Sequence, residues 1–201
     1  MKKLLFALSA LAALTLLAPV SGFADFEGEG AMGIYFDADA EVYETTGAPY
    51  TEVAAYVMMK NTNVEGIWGY EFGFVVEGNY IAPSIALNGT GPIDVGGELG
   101  NHIVGLAAPI TVTPATLLAT IGVLPMDALP IHYTLTGATP NSWVGSNTPN
   151  IVAPPGDVLV KCAVSAWDVA LVEPAICAML NDTGVVASDE ASWDSVKSLY
   201  R

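Results

Sequence analysis

The chain has 201 residues, of which 52% are hydrophobic and 13% charged, and it carries 21 acidic against 6 basic side chains. So large an apolar fraction excludes an intrinsically disordered chain, because disordered chains lack the apolar surface to form a core. The excess of negative charge excludes nucleic-acid binding, which needs cations to displace phosphate counterions, and it disfavours a surface of anionic lipid.

Residues 1–24 have the pattern of a secretory signal peptide. Lys2 and Lys3 precede an uncharged apolar run over residues 4–18, Pro19 ends that run, and small residues follow up to Ala24. The run is shorter than the roughly 20 residues that a membrane-spanning helix needs. We therefore predict cleavage after Ala24 and export to the periplasm, cell surface or extracellular space, with no transmembrane segment left in the mature chain.

Residues 25–183 are predicted to form one domain of short strands joined by turns. Glycine and proline recur throughout, and the segments between them are rich in β-branched and aromatic residues. The candidate strands are 31–36, 51–60, 66–76, 80–87, 102–107, 116–124, 131–136, 157–165 and 175–180. About seven to nine strands at this spacing predict a mainly β fold, a two-sheet antiparallel β-sandwich. A helix is the alternative at 115–124, where apolar residues run almost continuously, and we favour a central strand there.

The densest acidic cluster follows the first candidate strand. Asp37, Asp39 and Glu41 alternate along the chain, with Glu44 close behind. Calcium prefers carboxylate oxygens, so these residues are a candidate calcium site, and calcium is the one cofactor that the sequence suggests. An EF-hand loop is excluded because Val42 stands where that loop needs glycine. We favour the alternative that these acids face solvent on an edge strand and prevent it from pairing with other chains.

The candidate strand 66–76 has the clearest alternation. Every second residue is large and apolar, and alternate side chains of a strand lie on opposite faces. The predicted core face carries Trp68, Tyr70, Phe72, Phe74 and Val76. The opposite face is small or polar.

Residues suited to catalysis are sparse. His102 and His132 are the only histidines, and neither has the neighbouring ligands of a zinc site. Glu65, Glu71 and Glu77 could supply paired carboxylates for glycoside hydrolysis. Glutamates on the polar face of one strand more often keep that face soluble. A secreted hydrolase is therefore the least favoured interpretation.

Four aromatic residues fall in loop-like surroundings and are candidate ligand-binding residues: Tyr43, Tyr50, Trp143 and Trp167. Proteins that bind polysaccharide present flat aromatic rings beside polar groups, and Asn141 lies close to Trp143 in the sequence. The alternative is that each ring closes one end of the sandwich.

Cys162 and Cys177 are the only cysteines of the chain. In an oxidising compartment an even number of cysteines favours a disulfide, and the two lie in neighbouring candidate strands. Closing a loop of about 15 residues would contribute on the order of 3 kcal/mol by the chain-entropy relation. Two buried thiols are the alternative.

Residues 31–182 resemble the cohesin-like and carbohydrate-binding sandwiches of secreted bacterial proteins. The resemblance lies in a leading GIYFD strand, the GIWGYEF strand, the ATLLATIGVL strand and a late PPGD turn. It implies a non-catalytic binding or scaffolding module, and it transfers no individual binding residue.

Residues 184–201 are predicted to be a linker followed by a short helix. Ser188 is a candidate N-cap, acidic residues occupy the first turn, and Lys197 and Arg201 occupy the last, as the helix dipole favours. An apolar stripe recurs at helical spacing and consists of Trp193, Val196, Leu199 and Tyr200. An isolated helix of about 13 residues is marginal in water, so this stripe needs a partner.

The same segment resembles a short S-W-x-x-[IV]-K-x-L-[YF]-R element of exported bacterial proteins. The matching residues are Ser192, Trp193, Val196, Lys197, Leu199, Tyr200 and Arg201. The resemblance implies a sorting or surface-attachment signal. A helix that covers a sheet edge of its own domain is the alternative, and both stay open.

Taken together, these patterns predict an exported, non-catalytic binding or scaffolding module. The expected partner is a polysaccharide or another surface protein. Self-association into a filament or surface layer is the alternative, because exposed strand edges can pair between chains.

Overall fold

The computed structural model describes residues 30–154, 158–166 and 176–182. The predicted signal peptide, Trp167 and the predicted helical segment 188–201 lie outside these residues. The described strands are β1 (Ala31–Tyr35), β2 (Glu44–Thr45), β3 (Val53–Lys60), β4 (Gly66–Glu77), β5 (Tyr80–Leu87), β6 (Ile93–Asp94), β7 (Asn101–Thr111), β8 (Ala115–Pro125), β9 (Ile131–Thr136), β10 (Asn150–Ala153), β11 (Val158–Lys161), β12 (Ala163–Ser165) and β13 (Ile176–Leu180).

The strands form two sheets, which confirms the predicted β-sandwich. The first sheet has the order β12-β1-β3-β8-β5. In the second sheet, which has the order β11-β10-β4-β9-β13-β2, β10 and β9 pair with successive parts of one edge of the long strand β4. The opposite edge of β4 pairs with β7, and β7 pairs in turn with β6. The pairings are antiparallel except for β1 with β12 and β13 with β2. The described strands outnumber the prediction because β2, β6 and β10 are only two to four residues long, too short for a visible alternation, and because the predicted strand 157–165 is divided into β11 and β12.

The core lies between the sheets and is built by alternation along the longer strands. From the second sheet, Tyr70, Phe72 and Phe74 of β4 point inward. They face aliphatic and methionine side chains of the first sheet, among them Ile34 and Met59. The segment 115–124 forms the central strand β8, paired with β3 on one side and β5 on the other, as predicted.

Trp68 departs from the predicted core face of β4. The pairing between β4 and β7 shifts register between Ile67 and Gly69, and this irregularity changes the phase of alternation. Ile67 is fully buried instead, and Trp68 is 37% exposed on the outer face. The prediction for Trp68 was wrong because a shift in strand register leaves no signal in a hydrophobic pattern.

The acidic segment after β1 is a loop that covers part of the first sheet, and it is not an edge strand. Ala40 is buried there against Tyr35 and Met58 in a small second cluster on the outer face of that sheet. The Lys60 ammonium donates to the Ala40 carbonyl oxygen at 2.6 Å and lies 5.5 Å from the centre of the Tyr35 ring. One of the two described lysines therefore holds this loop in place.

Candidate binding site

A concave apolar groove lies on the outer face of the second sheet, where β4, β6, β7 and β10 meet. It encloses about 720 Å³. Its apolar walls are formed by Trp68, Ile93, Val95, Ile103, Leu106 and Val152. Ile93 is 69% exposed and Val95 is 71% exposed, so two aliphatic side chains stand in solvent on one rim. An exposed cluster of this kind on a folded domain marks an interaction surface.

The floor of the groove is formed by two glycines that face each other across the sheet. Gly69 of β4 pairs with Gly105 of β7. A Cβ on Gly105 would meet no atom within 4 Å, whereas a Cβ on Gly69 would come 2.7 Å from the Val104 carbonyl oxygen. The groove is therefore deep at this point because side chains are missing from its floor, and a side chain at Gly105 would enter open space.

The rim strand β6 is anchored by one carboxylate. Asp94 accepts hydrogen bonds from the backbone N–H groups of Gly96 and Ile103, each at 3.0 Å. Its second oxygen lies 2.7 Å from Nδ1 of His102, a buried ring that stacks on Phe74. An ionised carboxylate can only accept, so Nδ1 carries the proton.

These bonds set the charge of Asp94 and the position of its neighbours. Burial alone would raise the pKa of Asp94, but the hydrogen bonds from His102, Gly96 and Ile103 lower it below its ordinary value. The carboxylate is therefore held ionised. Because Asp94 lies between Ile93 and Val95, its anchoring positions the exposed apolar rim.

A second loop, residues 137–149, covers the outer face of the sheet beside the groove. Its contact is Glu71 of β4, which is 3% exposed and two residues from Gly69. Glu71 accepts from the Ser142 backbone N–H at 3.0 Å, from the Ser142 hydroxyl at 2.6 Å and from the Asn150 amide. Glu71 was predicted to be a solubilising surface residue, and that prediction was wrong because the loop encloses it.

The loop presents two exposed side chains at its tip. Trp143 is 44% exposed and Val144 is 93% exposed. The Trp143 backbone N–H donates to Asn141 at 2.8 Å, and the Asn141 amide donates to the Thr148 carbonyl oxygen at 2.9 Å. The tip is thus fixed by hydrogen bonds within the loop and by Glu71 beneath it, on the same outer face as the groove.

The aromatic residues predicted to bind ligand have separate surroundings. Tyr43 packs on Tyr35 with ring centres 5.0 Å apart, so it belongs to the cluster under the acidic loop. Tyr50 is 68% exposed, and its backbone N–H donates to the Pro125 carbonyl oxygen at the end of β8. Trp143 lies on the loop over the second sheet, and Trp167 is outside the described residues. The structure does not bring the three described rings together on one platform.

The candidate calcium residues form a loop closure. The Asp37 carboxylate accepts from the backbone N–H groups of Glu41 at 2.9 Å and Val42 at 2.7 Å. Burial raises the pKa of Asp37, but the backbone N–H donors together lower it by more, so the net shift of the pKa is downward. In the part of the chain that the structure describes, no three His, Cys, Asp or Glu side chains gather in a way that could hold a metal ion. Calcium binding by Asp37, Asp39 and Glu41 stays a prediction without geometric support.

The second histidine has a structural contact. Nε2 of His132 lies 3.2 Å from the Asp182 carboxylate, and both side chains are about one-third exposed. This pair links β9 to the second residue after β13.

The two cysteines are both buried in the main core. Cys162 is 1% exposed and follows β11, and Cys177 is fully buried in β13. Their sulfur atoms are not at disulfide distance in this structure. Burial raises the pKa of the Cys177 thiol to about 12. The bridge predicted from the sequence is therefore not shown, and it stays a prediction.

The groove itself was not predicted from the sequence. Ile93 and Val95 fall in none of the predicted strands, and Trp68 was assigned to the core. The one available signal was the run Ile93-Asp94-Val95, which alternates like a short strand beside two glycines. None of the segments that the structure describes contains a helix long and apolar enough to cross a bilayer.

No protein-family model matches the sequence. No curated protein matches it either. Solved structures that are similar to the chain include a cohesin module of a family 33 glycoside hydrolase from Clostridium perfringens ATCC13124, with a TM-score of 0.47 and 12% identity over 68% of this chain and 91% of that one. The sixth cohesin of scaffoldin B from Acetivibrio cellulolyticus, in complex with a Cel5 dockerin, has a TM-score of 0.44 and 13% identity over 68% and 94%. A non-cellulosomal cohesin from the archaeon Archaeoglobus fulgidus has a TM-score of 0.37 and 12% identity over 68% and 86%. The similarity is one of fold, the cohesin-like sandwich that the sequence patterns resemble, and it assigns no binding residue to this chain.

Proposed function

We propose that this protein is an exported, non-catalytic module that binds another protein through the groove on the outer face of its second sheet. The observation that carries the proposal is the groove itself. Trp68, Ile93 and Val95 are exposed in it, yet the groove is held by paired strands and by a rim anchored by Asp94 and His102. A rigid apolar surface loses little conformational entropy when a partner binds, so it favours association.

The partner expected for this surface carries an apolar anchor and positive charge. In the described residues the only cationic side chains besides histidine are Lys60 and Lys161, against acids spread over the whole domain. Lys60 is engaged with the loop over the first sheet. Positive charge beside the anchor would be attracted to this acidic surface, and the attraction would depend on salt.

Export is part of the proposal because of the signal-like residues 1–24, which supply a charged start, an apolar run and small residues at a cleavage position. Mass spectrometry of the secreted protein tests it. A mature chain that begins at Asp25 is expected, and a retained segment 1–24 would contradict it.

Polysaccharide binding and glycoside hydrolysis are less well supported by the geometry. Tyr43, Tyr50 and Trp143 lie in separate parts of the sandwich. Glu71, one of the carboxylates considered for hydrolysis, is enclosed by Ser142 and Asn150 and is closed to a substrate.

The groove is tested by capture of proteins from the surroundings of the producing cell. Three immobilised baits are compared: wild type, the double variant Ile93→Asp with Val95→Asp, and the control Leu129→Asp. Leu129 is 62% exposed and lies outside the groove, so the control introduces the same charge at a similarly exposed site.

A specific partner is retained by wild type and by the control and is lost with the groove variant. The captured protein is then purified and titrated by calorimetry, where we expect at least a tenfold loss of affinity for the groove variant, as for the removal of a central anchor. Equal affinity for all three baits would refute the groove as the binding site.

A further inference from the structure

We propose that the groove binds the segment 188–201 of a second copy of this chain, so that copies associate head to tail. The inference rests on the proposed function and deepens it, because it names one occupant for the same groove. The occupant has a sequence that fits the groove in apolarity, length and charge.

The apolar stripe of the segment matches the apolar lining of the groove. Trp193, Val196 and Tyr200 stand at positions i, i+3 and i+7 of the predicted helix. This is the spacing at which an amphipathic helix places anchors into a hydrophobic groove. The predicted helix needs a partner for its stripe, and the groove is a described apolar surface that lacks a cover within the described residues.

The lengths agree as well. The outer face runs across β11, β10, β4, β7 and β6 in that order. At about 4.8 Å between neighbouring strands, this width is roughly 19 Å. A helix over residues 188–201 at 1.5 Å per residue is about 21 Å long. The segment is therefore long enough to span these strands beside the loop 137–149, with its stripe over the Gly69–Gly105 floor.

Two charged residues that lie to either side of the groove favour one direction of the helix. Lys161 of β11 pairs with Asn150, whose side chain contacts Glu71 on the outer face, and directly paired residues share a face of a sheet. At the other end, the turn between β6 and β7 carries the exposed Glu98. The segment begins with Asp189 and Glu190 and ends with Lys197 and Arg201, so its acidic end fits Lys161 and its basic end fits Glu98.

A second copy supplies the segment because the chain leaves the domain too far from the groove. The described chain ends at Asp182, beside His132, which pairs with Glu77 of β4. From Glu77 to Gly69 the strand extends roughly 26 Å. Residues 183–187 span at most about 18 Å, and the loop 137–149 lies over Glu71 on that path. The helix of the same chain therefore cannot begin at β11 and lie across the strands over the Gly69–Gly105 floor, whereas that of a neighbour can. Such a contact joins two different surfaces, and it propagates into chains unless the rotation closes a ring.

The test uses two full mature chains, 25–201, that are each defective in one half of the contact. Gly105→Phe fills the floor of the groove without a clash, because its Cβ position is open. Trp193→Asp removes the main anchor of the segment and leaves the groove intact. Leu129→Phe is the control for an added exposed ring. Mass is measured by light scattering after size-exclusion chromatography.

The expected result is complementation. Wild type and Leu129→Phe assemble as concentration rises, each defective chain alone stays monomeric, and an equimolar mixture of the two forms a 1:1 dimer and nothing larger. A labelled synthetic peptide of residues 188–201 binds the Trp193→Asp chain in an anisotropy titration, and binds the Gly105→Phe chain at least tenfold more weakly.

Three results would overturn the inference. These are a wild type that stays monomeric at all concentrations, assembly that persists in Gly105→Phe, and a mixture without dimer, which would place the segment in its own groove or elsewhere. A peptide that fails to bind while the Ile93 and Val95 variant still loses a captured partner would refute the second copy as occupant and leave the proposed function standing.

Discussion

Glu71→Ala is expected to destabilise the protein far more than the same change at Glu77 of the same strand. Glu71 is 3% exposed and accepts three hydrogen bonds, two from Ser142 and one from Asn150. Glu77 is exposed at the other end of β4, on the same predicted polar face. The pair compares a buried and an exposed glutamate within a single strand.

The size of the effect follows from the donors left without an acceptor. A buried donor without a partner costs about 1–3 kcal/mol. Asn150 is fully buried but keeps its bond to Asn141, whereas Ser142 is exposed and can turn to water. We therefore expect a loss of about 1–3 kcal/mol for Glu71→Ala, and less than about 0.5 kcal/mol for Glu77→Ala.

Urea unfolding followed by circular dichroism measures the free energy of unfolding of both variants. In a thermal melt of a chain of this size, each kcal/mol corresponds to about 2–4 °C in Tm. Hydrogen exchange of the backbone amides of residues 137–149 shows whether the loop is released. Similar stabilities for the two variants would refute the claim that Glu71 holds the loop. A double-mutant cycle with Ser142→Ala isolates the contact, and additive effects would assign the loss to another cause.

Three further outcomes follow from the fold. Phe72→Ala should cost about 3–5 kcal/mol because Phe72 is fully buried, whereas Trp68→Ala should cost less than about 1 kcal/mol, and equal losses in urea unfolding would contradict the register shift in β4. Asp94→Asn should reduce the fall in the free energy of unfolding at acidic pH. The reason is that the lowered pKa of Asp94 stabilises the folded protein above about pH 4, the ordinary pKa of an aspartate, and this stabilisation is lost as the pH falls through the lower pKa of the folded state. Denaturation curves between about pH 2 and pH 6 check this, and an unchanged wild-type slope in Asp94→Asn would contradict it. Gly105→Ala should leave the free energy of unfolding unchanged, whereas Gly69→Ala should lower it by roughly 1–3 kcal/mol because the new Cβ would lie 2.7 Å from a carbonyl oxygen of β7. Thermal melts in which Gly105→Ala is the less stable variant would contradict the described geometry of the groove floor.

The long strands could be predicted from the sequence because their signal is local. In β4 the alternation of Tyr70, Phe72 and Phe74 against small or polar residues is visible without any partner strand. β5 and β9 have the predicted bounds for the same reason. The parallel pairing of β1 with β12 joins Ala31 to Ala163, and no local pattern carries that information.

The candidate site could be predicted only in fragments. Trp68 was identified as a large aromatic of a strand, but the register shift that turns it outward depends on where β7 pairs. Glu71 was identified as a polar-face residue, but its burial depends on Ser142, which lies 71 residues further along the chain. The Asp94 and His102 contact was also missed, because it forms between the edge strand β6 and the start of β7.

The sequence by itself determined the class of the fold, its acidity and the core-facing side chains of the long strands, and it predicts a segment at 188–201 whose apolar stripe needs a partner. These properties follow from composition and from periodicity, which depend on neighbours along the chain. The tertiary structure alone decided which outer surfaces are covered and which stay open. The loops 36–43 and 137–149 cover parts of the two outer faces through contacts with remote residues, and the glycine-floored groove is what they leave exposed. Burial by a remote loop is a non-local event, and for that reason the binding surface could be found only in the folded protein.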